Sequence, residues 1–365
     1  MTKEELKYWV GLSAIKDIGP VRFKKIINYF SSLRDFFSCG KVDLLRAGLS
    51  ETMADKIISS RGQLDLEAIW QRLKKEEIQL VTFLDPEYPA LLKEIYDFPP
   101  ILYLRGAPLA ATDLAIAVVG TRLSTAYGEY MTNELVRGLV QGGVTVVSGL
   151  ARGIDSSAHQ ATLRAGGKTV AVLGSGLDWR SIYPRENKKL VEEIMAGGGT
   201  VISEFPCGMP PHRQNFPLRN RLLSGLSRGV LVVEAGEKSG ALITAKCALD
   251  QNREVFAVPG DVSRPTAFGP NFLIKQGARA VTEVNDILEA LNLALPKTAV
   301  VRPAAPEPSS PEEAKILSCL SIEPTQIDQL ILQSGLASQT VSAVLAIMEM
   351  AGKVKEVGGQ RYVIK

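Results

Sequence analysis

Seven short apolar runs between residues 114 and 292 constrain the fold of this chain more than any other feature of its sequence. They alternate with stretches of helical periodicity, and they read LAIAVVG, VTVVSG, TVAVLG, TVISE, GVLVVEA, EVFAVPG and ARAVTE. Continuous apolar strands separated by helices are typical of a parallel sheet whose two faces are both covered. The sequence therefore predicts an α/β protein with a parallel sheet core, in a domain that spans 84–295.

The residues before this core are predicted to form an all-helical domain over 1–83, with no strand. Apolar residues recur at helical spacing on both sides of Gly19-Pro20, and a second break falls near Gly48. This layout is typical of a helix-hairpin-helix or SAM-like domain, whose turn can offer backbone N–H groups to a phosphate. Asp17 stands where the motif usually has glycine. A scaffolding or protein-contact role and a DNA-binding role therefore both stay open for this domain.

The composition changes again after the core. Residues 296–311 read PKTAVVRPAAPEPSSP, with five prolines and no periodicity, which predicts an extended linker. Residues 312–365 are predicted to form a winged-helix-like domain, with a hairpin that turns at Gly358-Gly359 after three helical stretches over 312–320, 326–334 and 338–351. Because the third stretch has no Lys or Arg before Lys353, we favour contact with protein over contact with DNA for this domain.

The composition narrows the class of protein. The chain is 45% apolar and 22% charged with a net charge of +3, so nucleic-acid binding would need a local basic patch. Two histidines, His159 and His212, are too few for a multi-histidine metal site, and the four scattered cysteines are expected to be reduced thiols. The first residues, MTKEELKYWV, carry acidic side chains where a signal peptide has a basic start and an apolar middle. No apolar run approaches the length of about 20 residues that spans a bilayer. We expect a soluble, cytoplasmic protein with no metal and no membrane contact.

Most of the predicted strands end in a glycine or a turn. In an open α/β sheet, ligands bind at the carboxyl ends of the strands. After the first run, VVGTRLSTAYG places Thr121, Arg122 and Ser124 at a helix N-terminus, where backbone N–H groups bind anions, although the G-x-G-x-x-G spacing is missing. Ser239-Gly240 repeats the arrangement after the fifth run. We expect the loops to form an anion-binding edge, with glycines at positions 120, 149, 174, 236 and 260.

The segment VVSGLARGIDSSAHQA contains the side chains of a hydrolase triad, Ser148, Asp155 and His159. The spacing argues against catalysis, because Asp155 is best placed as a helix N-cap and His159 lies one turn further along the same helix. Ser148 is followed by Gly149 but does not stand in a G-x-S-x-G elbow. We favour a glycine loop that helps to form a phosphate-binding cleft.

The segment HRQNFPLRNRLLSGLS, at 212–227, concentrates positive charge. Neither Asp nor Glu occurs between residues 205 and 233, so these arginines have no partner nearby in sequence. Arg219 and Arg221, at i and i+2 of a helix, are expected to point to different sides and to straddle a bound chain, with Asn220 between them. Phe216 is a candidate stacking platform for a base. The alternative is that Phe216 lies in the core and the arginines are solvated.

Together these motifs resemble the DprA/Smf family of bacterial DNA-processing proteins. The resemblance covers nearly the whole chain and rests on DPEYPALLKEIYDFPPILYLRG, VVGTR, SGLARGIDSSAH, VAVLGSGLD, FPLRNRLLSGLS, SGALITA and NFLIKQGA. It implies an extended Rossmann-like domain that binds single-stranded DNA without sequence preference. It also implies protection of incoming DNA in natural transformation, loading of the RecA recombinase, displacement of single-strand-binding protein, a homodimer, and neither enzymatic activity nor a cofactor.

The resemblance also implies which residues of this chain bind the strand. By the motifs VVGTR and FPLRNR, these are Arg122, Phe216, Arg219, Asn220 and Arg221, together with the basic Arg213 three residues before Phe216. The resemblance implies less strongly the loop residues Thr121, Ser148, Gly149, Ser239 and Gly240. One departure is the loop 178–183, where WRSI stands between GLD and YP and looks longer than usual for the family. The flanking domains vary among relatives, so their roles are not implied.

Two other functions compete with DNA binding. The first is a Rossmann-fold nucleotide-processing enzyme similar to phosphoribohydrolases, which use a GGxGTxxE loop with a catalytic glutamate. The corresponding segment here, EAGEKSGALITA, has Thr244 and Ala245 instead of that glutamate. The second is a structural adaptor that acts through the winged-helix-like domain.

Overall fold

The computed structural model describes residues 2–109, 114–293, 308–320 and 324–364. These residues divide into two compact units, one formed by the described residues up to 124 together with 131–293, and the other by 125–130 together with those from 308 onward. Within these ranges no single helix is long and apolar enough to cross a membrane, and one strongly bent pair, Ile327–Ser334 with Ser338–Met350, meets the criterion by length and composition only.

The first unit begins with a helical segment, residues 2–78. Several of its helices start at side chains that satisfy free backbone N–H groups: Thr2 forms a capping box with Glu5, and Ser50 and Asp65 each accept a bond from the first turn of their helix. The described helices of this segment are α1 (Lys3–Ala14), α2 (Pro20–Tyr29), α3 (Leu33–Ser38), α4 (Lys41–Arg46), α5 (Glu51–Gly62) and α6 (Leu66–Lys75).

A sheet of nine described strands follows, in the order β1-β2-β6-β5-β4-β3-β7-β8-β9. Each of the seven predicted runs forms one strand, and the pairs between β3 and β9 are all parallel, which confirms the predicted core. The strands are β1 (Gln79–Thr82), β2 (Ile101–Gly106), β3 (Ala115–Val119), β4 (Thr145–Ser148), β5 (Thr169–Val172), β6 (Thr200–Ser203), β7 (Gly229–Val232), β8 (Glu254–Ala257) and β9 (Arg279–Ala280).

The first two strands were not predicted. They run antiparallel, β1 to β2 and β2 to β6, so the sheet is mixed at this edge. The expectation of no strand before residue 84 is wrong, because β1 is only four residues long and follows directly on α6, where periodicity is weak. The helices between the strands are α7 (Ala90–Lys93), α8 (Ala126–Gln141), α9 (Ile154–Arg164), α10 (Lys188–Ala196), α11 (Asn215–Gly225), α12 (Gly240–Asp250), α13 (Phe268–Lys275) and α14 (Val284–Ala290), with single 3-10 turns at Arg185–Asn187 and Pro265–Ala267.

Alternate residues of the strands belong to two different hydrophobic cores. Ile101 and Tyr103 of β2 pack with the helical segment, whereas Leu102 and Leu104 pack with α11 and α12 on the opposite face. The Tyr103 hydroxyl lies 2.6 Å from Ser13 Oγ in the first of these cores. The helical segment and the sheet therefore share one core. The boundary between a first domain ending at 83 and a second beginning at 84 stays a prediction.

The residues from 308 onward form a winged helix, as predicted. Its described elements are α15 (Pro311–Cys319), β10 (Thr325–Gln326), α16 (Ile327–Ser334), α17 (Ser338–Met350), β11 (Val354–Glu356) and β12 (Arg361–Ile364). Strand β12 pairs with both β10 and β11, and the turn at Gly358-Gly359 has positive φ at both glycines, as the sequence predicts for this hairpin. The predicted linker, 296–311, lies outside the described residues up to position 307.

Candidate functional site

A cleft of about 840 Å³ opens at the carboxyl edge of the parallel sheet. Loops that follow β3, β4, β5, β6 and β7 all contribute to its wall, which is the edge where the sequence predicts an anion site. The described lining residues include Thr121, Arg122, Asp155, Tyr183, Arg213, Phe216, Arg219, Asn220, Lys238, Ser239, Gly240 and Ile243. Eight of the eleven predicted binding residues are among them; Ser148, Gly149 and Arg221 are not.

Close backbone contacts fix the loops after β3, β4 and β7 to one another. Thr121 donates its backbone N–H to the carbonyl of Glu234, and Ile154 donates to the carbonyl of Thr121. Gly153 has a φ of +71°, and a Cβ at this position would lie 2.3 Å from the Thr121 carbonyl oxygen. Only glycine allows this approach, so the sequence RGID determines the shape of the cleft at this point.

Asp155 does not cap its helix, contrary to the prediction. The helix begins at Ile154 after Gly153, and the Asp155 carboxylate accepts hydrogen bonds from the N–H groups of Gly149 and Ala151, at 3.1 and 3.4 Å. Burial raises the pKa of the Asp155 carboxyl, while Arg219 and these backbone donors oppose the shift. The buried carboxylate thus holds the turn after β4 in place through its backbone N–H groups.

The side chains considered for a hydrolase triad form bonds elsewhere. Ser148 Oγ donates to the Val118 carbonyl at 2.6 Å, and His159 Nδ1 lies 2.7 Å from Thr169 Oγ1. Since Thr169 Oγ1 donates its own proton to the carbonyl of Val146, His159 must donate through Nδ1. Burial lowers the pKa of His159 to about 3. These three residues stabilise the fold and do not make a nucleophile–base pair with one another.

Arg221 is held in an ion-pair network outside the cleft. Its Nε donates to Asp97 at 2.8 Å, and its two terminal nitrogens donate to the Glu204 carboxylate at 2.9 and 2.7 Å. Burial opposes the charge, but Glu204 and Asp97 outweigh it and raise the pKa of Arg221. The interpretation of Arg221 as an unpaired charge is wrong, because the fold supplies two partners. Asp97 lies 124 positions away in sequence, and Glu204 lies just outside the segment that has no Asp or Glu. All three guanidinium nitrogens of Arg221 are engaged by these carboxylates, so its expected contact with DNA is replaced by a role in the framework.

Arg219 points to the opposite side, as the i, i+2 spacing predicts, and lies in the floor of the cleft with 4% of its surface exposed. Its Nη1 donates to the carbonyl of Val172, at the end of β5. Burial lowers its pKa to about 10, with Asp155 opposing the shift and Arg122 adding to it. A Cβ at Gly149 would lie 2.3 Å from Arg219 Nη1, so the role of Gly149 is to make room for this guanidinium.

Phe216 is half-buried in the wall of the cleft and does not lie in either core. The Arg122 guanidinium lies 5.7 Å from the centre of its ring, and the ring of Tyr183 lies 5.7 Å away on another side at an angle of 55°. Arg122 and Arg213 are both exposed. The cleft therefore combines exposed cations with a pair of accessible aromatic rings.

Ser239 and Asn220 fix the N-terminus of α12 against the cleft. Ser239 is the N-cap of this helix and accepts a bond from the Ala241 N–H at 3.3 Å. Asn220 Nδ2 donates to the Gly240 carbonyl at 3.1 Å, which ties α11 to the first residue of α12. Asn220 thus orients this loop through its amide nitrogen.

Sequence reasoning missed two residues of the cleft, Tyr183 and Lys238. Tyr183 is 40% exposed and stands in the YP pair of the resemblance; its contact with Phe216 depends on a loop whose path the sequence does not reveal. Lys238 directly precedes Ser239, and a basic residue next to a predicted anion-binding turn could have indicated it. Among the described lining residues four are basic, Arg122, Arg213, Arg219 and Lys238, and one, Asp155, is acidic. The cleft favours a polyanion.

The buried neutral state of His159 predicts a pH-dependent stability. Because the pKa of His159 is about 3 in the folded protein and 6.5 in the reference state, the unfolded chain takes up a proton first as the pH falls. The contribution of neutral His159 to the free energy of unfolding is fully present above pH 6.5 and is lost as the pH falls toward 3. Between pH 7 and pH 5 the wild type should lose about 2 kcal/mol more than His159→Gln, measured by urea unfolding at each pH. Equal losses would show that His159 is protonated in the folded state.

Arg221 and Arg122 should differ in what their loss does to the stability of the fold. Arg221→Ala leaves the nearly buried Glu204 carboxylate without its partner and should lower the free energy of unfolding by about 3 kcal/mol. Arg122→Ala, at an exposed position, should change it by less than about 0.5 kcal/mol. Urea denaturation of both variants measures the difference, and similar losses would contradict the assignment of Arg221 to the framework.

Comparisons with known proteins agree with this geometry. The family model described as "DNA recombination-mediator protein A" matches residues 79–292, and the model described as "DprA winged helix domain" matches residues 300–360. Protein Smf of Synechocystis sp. is 37% identical over 99% of both chains. Protein Smf of Escherichia coli is 40% identical over 87% of this chain and 86% of its own length.

Two solved structures are similar to this chain. DNA processing protein A from Streptococcus pneumoniae superposes with a TM-score of 0.65 at 33% identity and covers 79% of this chain and 98% of its own. DNA processing protein A from Helicobacter pylori, a structure described for its single-stranded DNA binding mode, superposes with a TM-score of 0.52 at 31% identity over 59% of this chain and 96% of its own. The mixed sheet, its cationic cleft, the winged helix and these matches together show that the chain belongs to the DprA/Smf family of DNA-processing proteins.

Proposed function

We propose that this protein binds single-stranded DNA without sequence preference, in the cleft at the carboxyl edge of its sheet. The observation that carries the proposal is the position of exposed cations beside the accessible rings of Phe216 and Tyr183, in one cleft. Proteins that bind single strands combine a cationic groove with aromatic platforms, and every base has a face that can stack. The description of the Helicobacter pylori relative supports the same ligand.

The residues of the cleft divide by task. Arg122, Arg213 and Lys238 are exposed and have side chains long enough to follow phosphates along a strand. Phe216 and Tyr183 offer ring surface to bases, and Arg122 already lies against the first ring. Arg219 is buried and fixed, so it supplies constant positive potential to the floor. Thr121, Ser239 and Gly240 contribute loop polar groups at the cleft wall.

We further propose the biological setting that family membership implies. The protein would protect incoming single strands during natural transformation in the cytoplasm, displace single-strand-binding protein and load the RecA recombinase, acting as a homodimer. The matching family description, a recombination mediator, supports this setting. The partner assignments rest on family membership, whereas the DNA assignment rests also on the cleft.

We propose that the cleft acts by binding and not by catalysis. The phosphoribohydrolase alternative needs a carboxylate free to act on a ribosyl group, and Asp155, the acidic side chain among the described lining residues, is engaged by backbone N–H groups. Thr244 and Ala245 lie on α12 at the positions considered for the catalytic glutamate. Incubation with nucleoside monophosphates should release no free base, and release above a no-protein control would support the enzyme instead.

Titration of oligo-dT at several salt concentrations tests the DNA proposal. Each neutralised phosphate contributes about −0.7 to the log–log slope of affinity against salt for single strands. Arg122→Ala should therefore flatten the slope by about 0.7. Phe216→Ala should weaken binding by about 1–3 kcal/mol with little change in slope.

Lys189→Ala is the control for this titration, since that side chain is 85% exposed on α10 and is not part of the cleft lining described above. It should leave both affinity and slope unchanged. Equal affinity of the wild type for single- and double-stranded DNA, or an unchanged slope in Arg122→Ala, would contradict the proposal. A double variant of Arg219 and Arg221 would not serve, because both guanidiniums are buried in the framework.

A further inference from the structure

The loop 174–184 carries Tyr183 into the cleft, and the Asp178 carboxylate is one of its anchors on the helical segment. Asp178 is 1% exposed, and its Oδ1 accepts a hydrogen bond from the Gly208 N–H at 2.5 Å. Its Oδ2 accepts from Ser181 Oγ at 3.0 Å and from Arg72 Nη2, on α6, at 3.2 Å. Asp178 thus joins the loop that carries Tyr183, the loop that carries Arg213 and the helical segment.

Further contacts make this junction rigid. Gly176 donates its N–H to the Met209 carbonyl at 2.9 Å, so the two loops are bonded to each other beside Asp178. Trp179 donates its backbone N–H to Glu76 at 3.4 Å, and its ring lies 4.7 Å from the guanidinium of Arg105. Arg105 in turn donates to the Glu76 carboxylate at 2.7 Å. The WRSI sequence, whose role the sequence leaves open, is therefore the part of the loop that docks on the end of α6.

The anchor is close to the cleft along the chain. Ile182 is buried in the core that the helical segment shares with the sheet, and Tyr183 follows it directly. Arg72 also lies over Gly208, where a Cβ would stand 2.7 Å from Nη1. The backbone of Gly208 has a φ of +91°, and Arg213 follows five residues later. A guanidinium on α6 therefore restrains both loops that form this side of the cleft.

We propose that Arg72 is a positioning residue for the DNA cleft, acting through Asp178 on the loops that carry Tyr183 and Arg213. This inference rests on the proposed function. The described residues that line the cleft all lie at position 119 or later, so Arg72 itself does not touch the strand. The helical segment then contributes to DNA affinity by fixing the cleft wall, independently of whether its own surface contacts DNA.

The test compares oligo-dT binding by Arg72→Ala with Lys75→Ala. Lys75 is exposed in the same last turn of α6, so its loss removes the same charge from the same helix without touching Asp178. Arg72→Ala should weaken binding roughly 5-fold and should flatten the salt slope by no more than about 0.7, the contribution of the one phosphate contact that Arg213 would make. Lys75→Ala should match the wild type. Arg72→Lys, which keeps the charge but not the planar group that spans Asp178 and Gly208, should fall between the two.

A double-mutant cycle separates positioning from a general loss of structure. If Arg72 acts in part through the loop that holds Tyr183, the variant with both Arg72→Ala and Tyr183→Ala should lose less affinity than the sum of the two single losses. Additive effects, or equal affinity of Arg72→Ala and Lys75→Ala, would overturn the inference. If Arg72→Ala unfolds below the assay temperature, Arg72→Lys takes its place in the same cycle. Wild-type affinity of Arg72→Lys would then overturn the inference.

The outcomes also distinguish this inference from the proposed function. Absence of oligo-dT binding by the wild type, or an unaffected Arg122→Ala, would refute the DNA cleft itself. Loss of binding in Arg122→Ala with wild-type affinity in both Arg72 variants would refute the positioning role alone.

Discussion

The buried guanidinium of Arg219 is the interaction on which the cleft depends. It is bonded to the carbonyl at the end of β5, packed against Gly149 after β4 and interacts electrostatically with Asp155, which itself holds the turn after β4. A buried charge is costly unless nearby groups compensate it, so each of these partners is needed for the others to stay in place. Strand ends that would otherwise be separate loops are thereby combined into one surface of positive potential. Phe216 precedes Arg219 on the same helix, so the position of its ring depends on this floor as well.

The two arginines of the RNR sequence have different structural roles. Arg219 and Arg221 differ by two positions on α11, so their side chains leave the helix on different sides. Arg219 lies in the floor of the cleft, whereas Arg221 meets Glu204 and Asp97 and joins α11 to the loops before β2 and after β6. The presence of this motif in a sequence therefore does not by itself identify a ligand contact.

The sequence was sufficient for features that depend on local patterns. Uniformly apolar runs such as AIAVV can only be buried on both faces, so the parallel strands and the edge at which the loops gather were predictable. The winged helix followed from its three helical stretches and its Gly358-Gly359 turn. Contacts between distant positions were not predictable: Asp97 pairs with Arg221, and Tyr183 meets Phe216, only because the fold brings them together. Strand β1 was missed because four residues at a sheet edge carry too little periodicity to be distinguished from the end of a helix.

The shared core beneath β2 has a consequence for how the protein can be divided. Tyr103, Ile101 and Leu173 on one face of the sheet are covered by Trp9, Phe23 and Phe36 and their neighbours from the helical segment. A shortened chain that starts at residue 84 would lose β1 and leave that face open to water, at a cost of about 25 cal/mol for each Å² of apolar surface exposed. Such a fragment would be prone to self-association through the exposed apolar face of its sheet. A change in DNA binding by the fragment would then reflect this exposure and not the loss of a DNA contact. The helical segment therefore forms the layer that covers one face of the sheet. Its contribution to DNA binding is better studied by point substitutions than by removal of the segment.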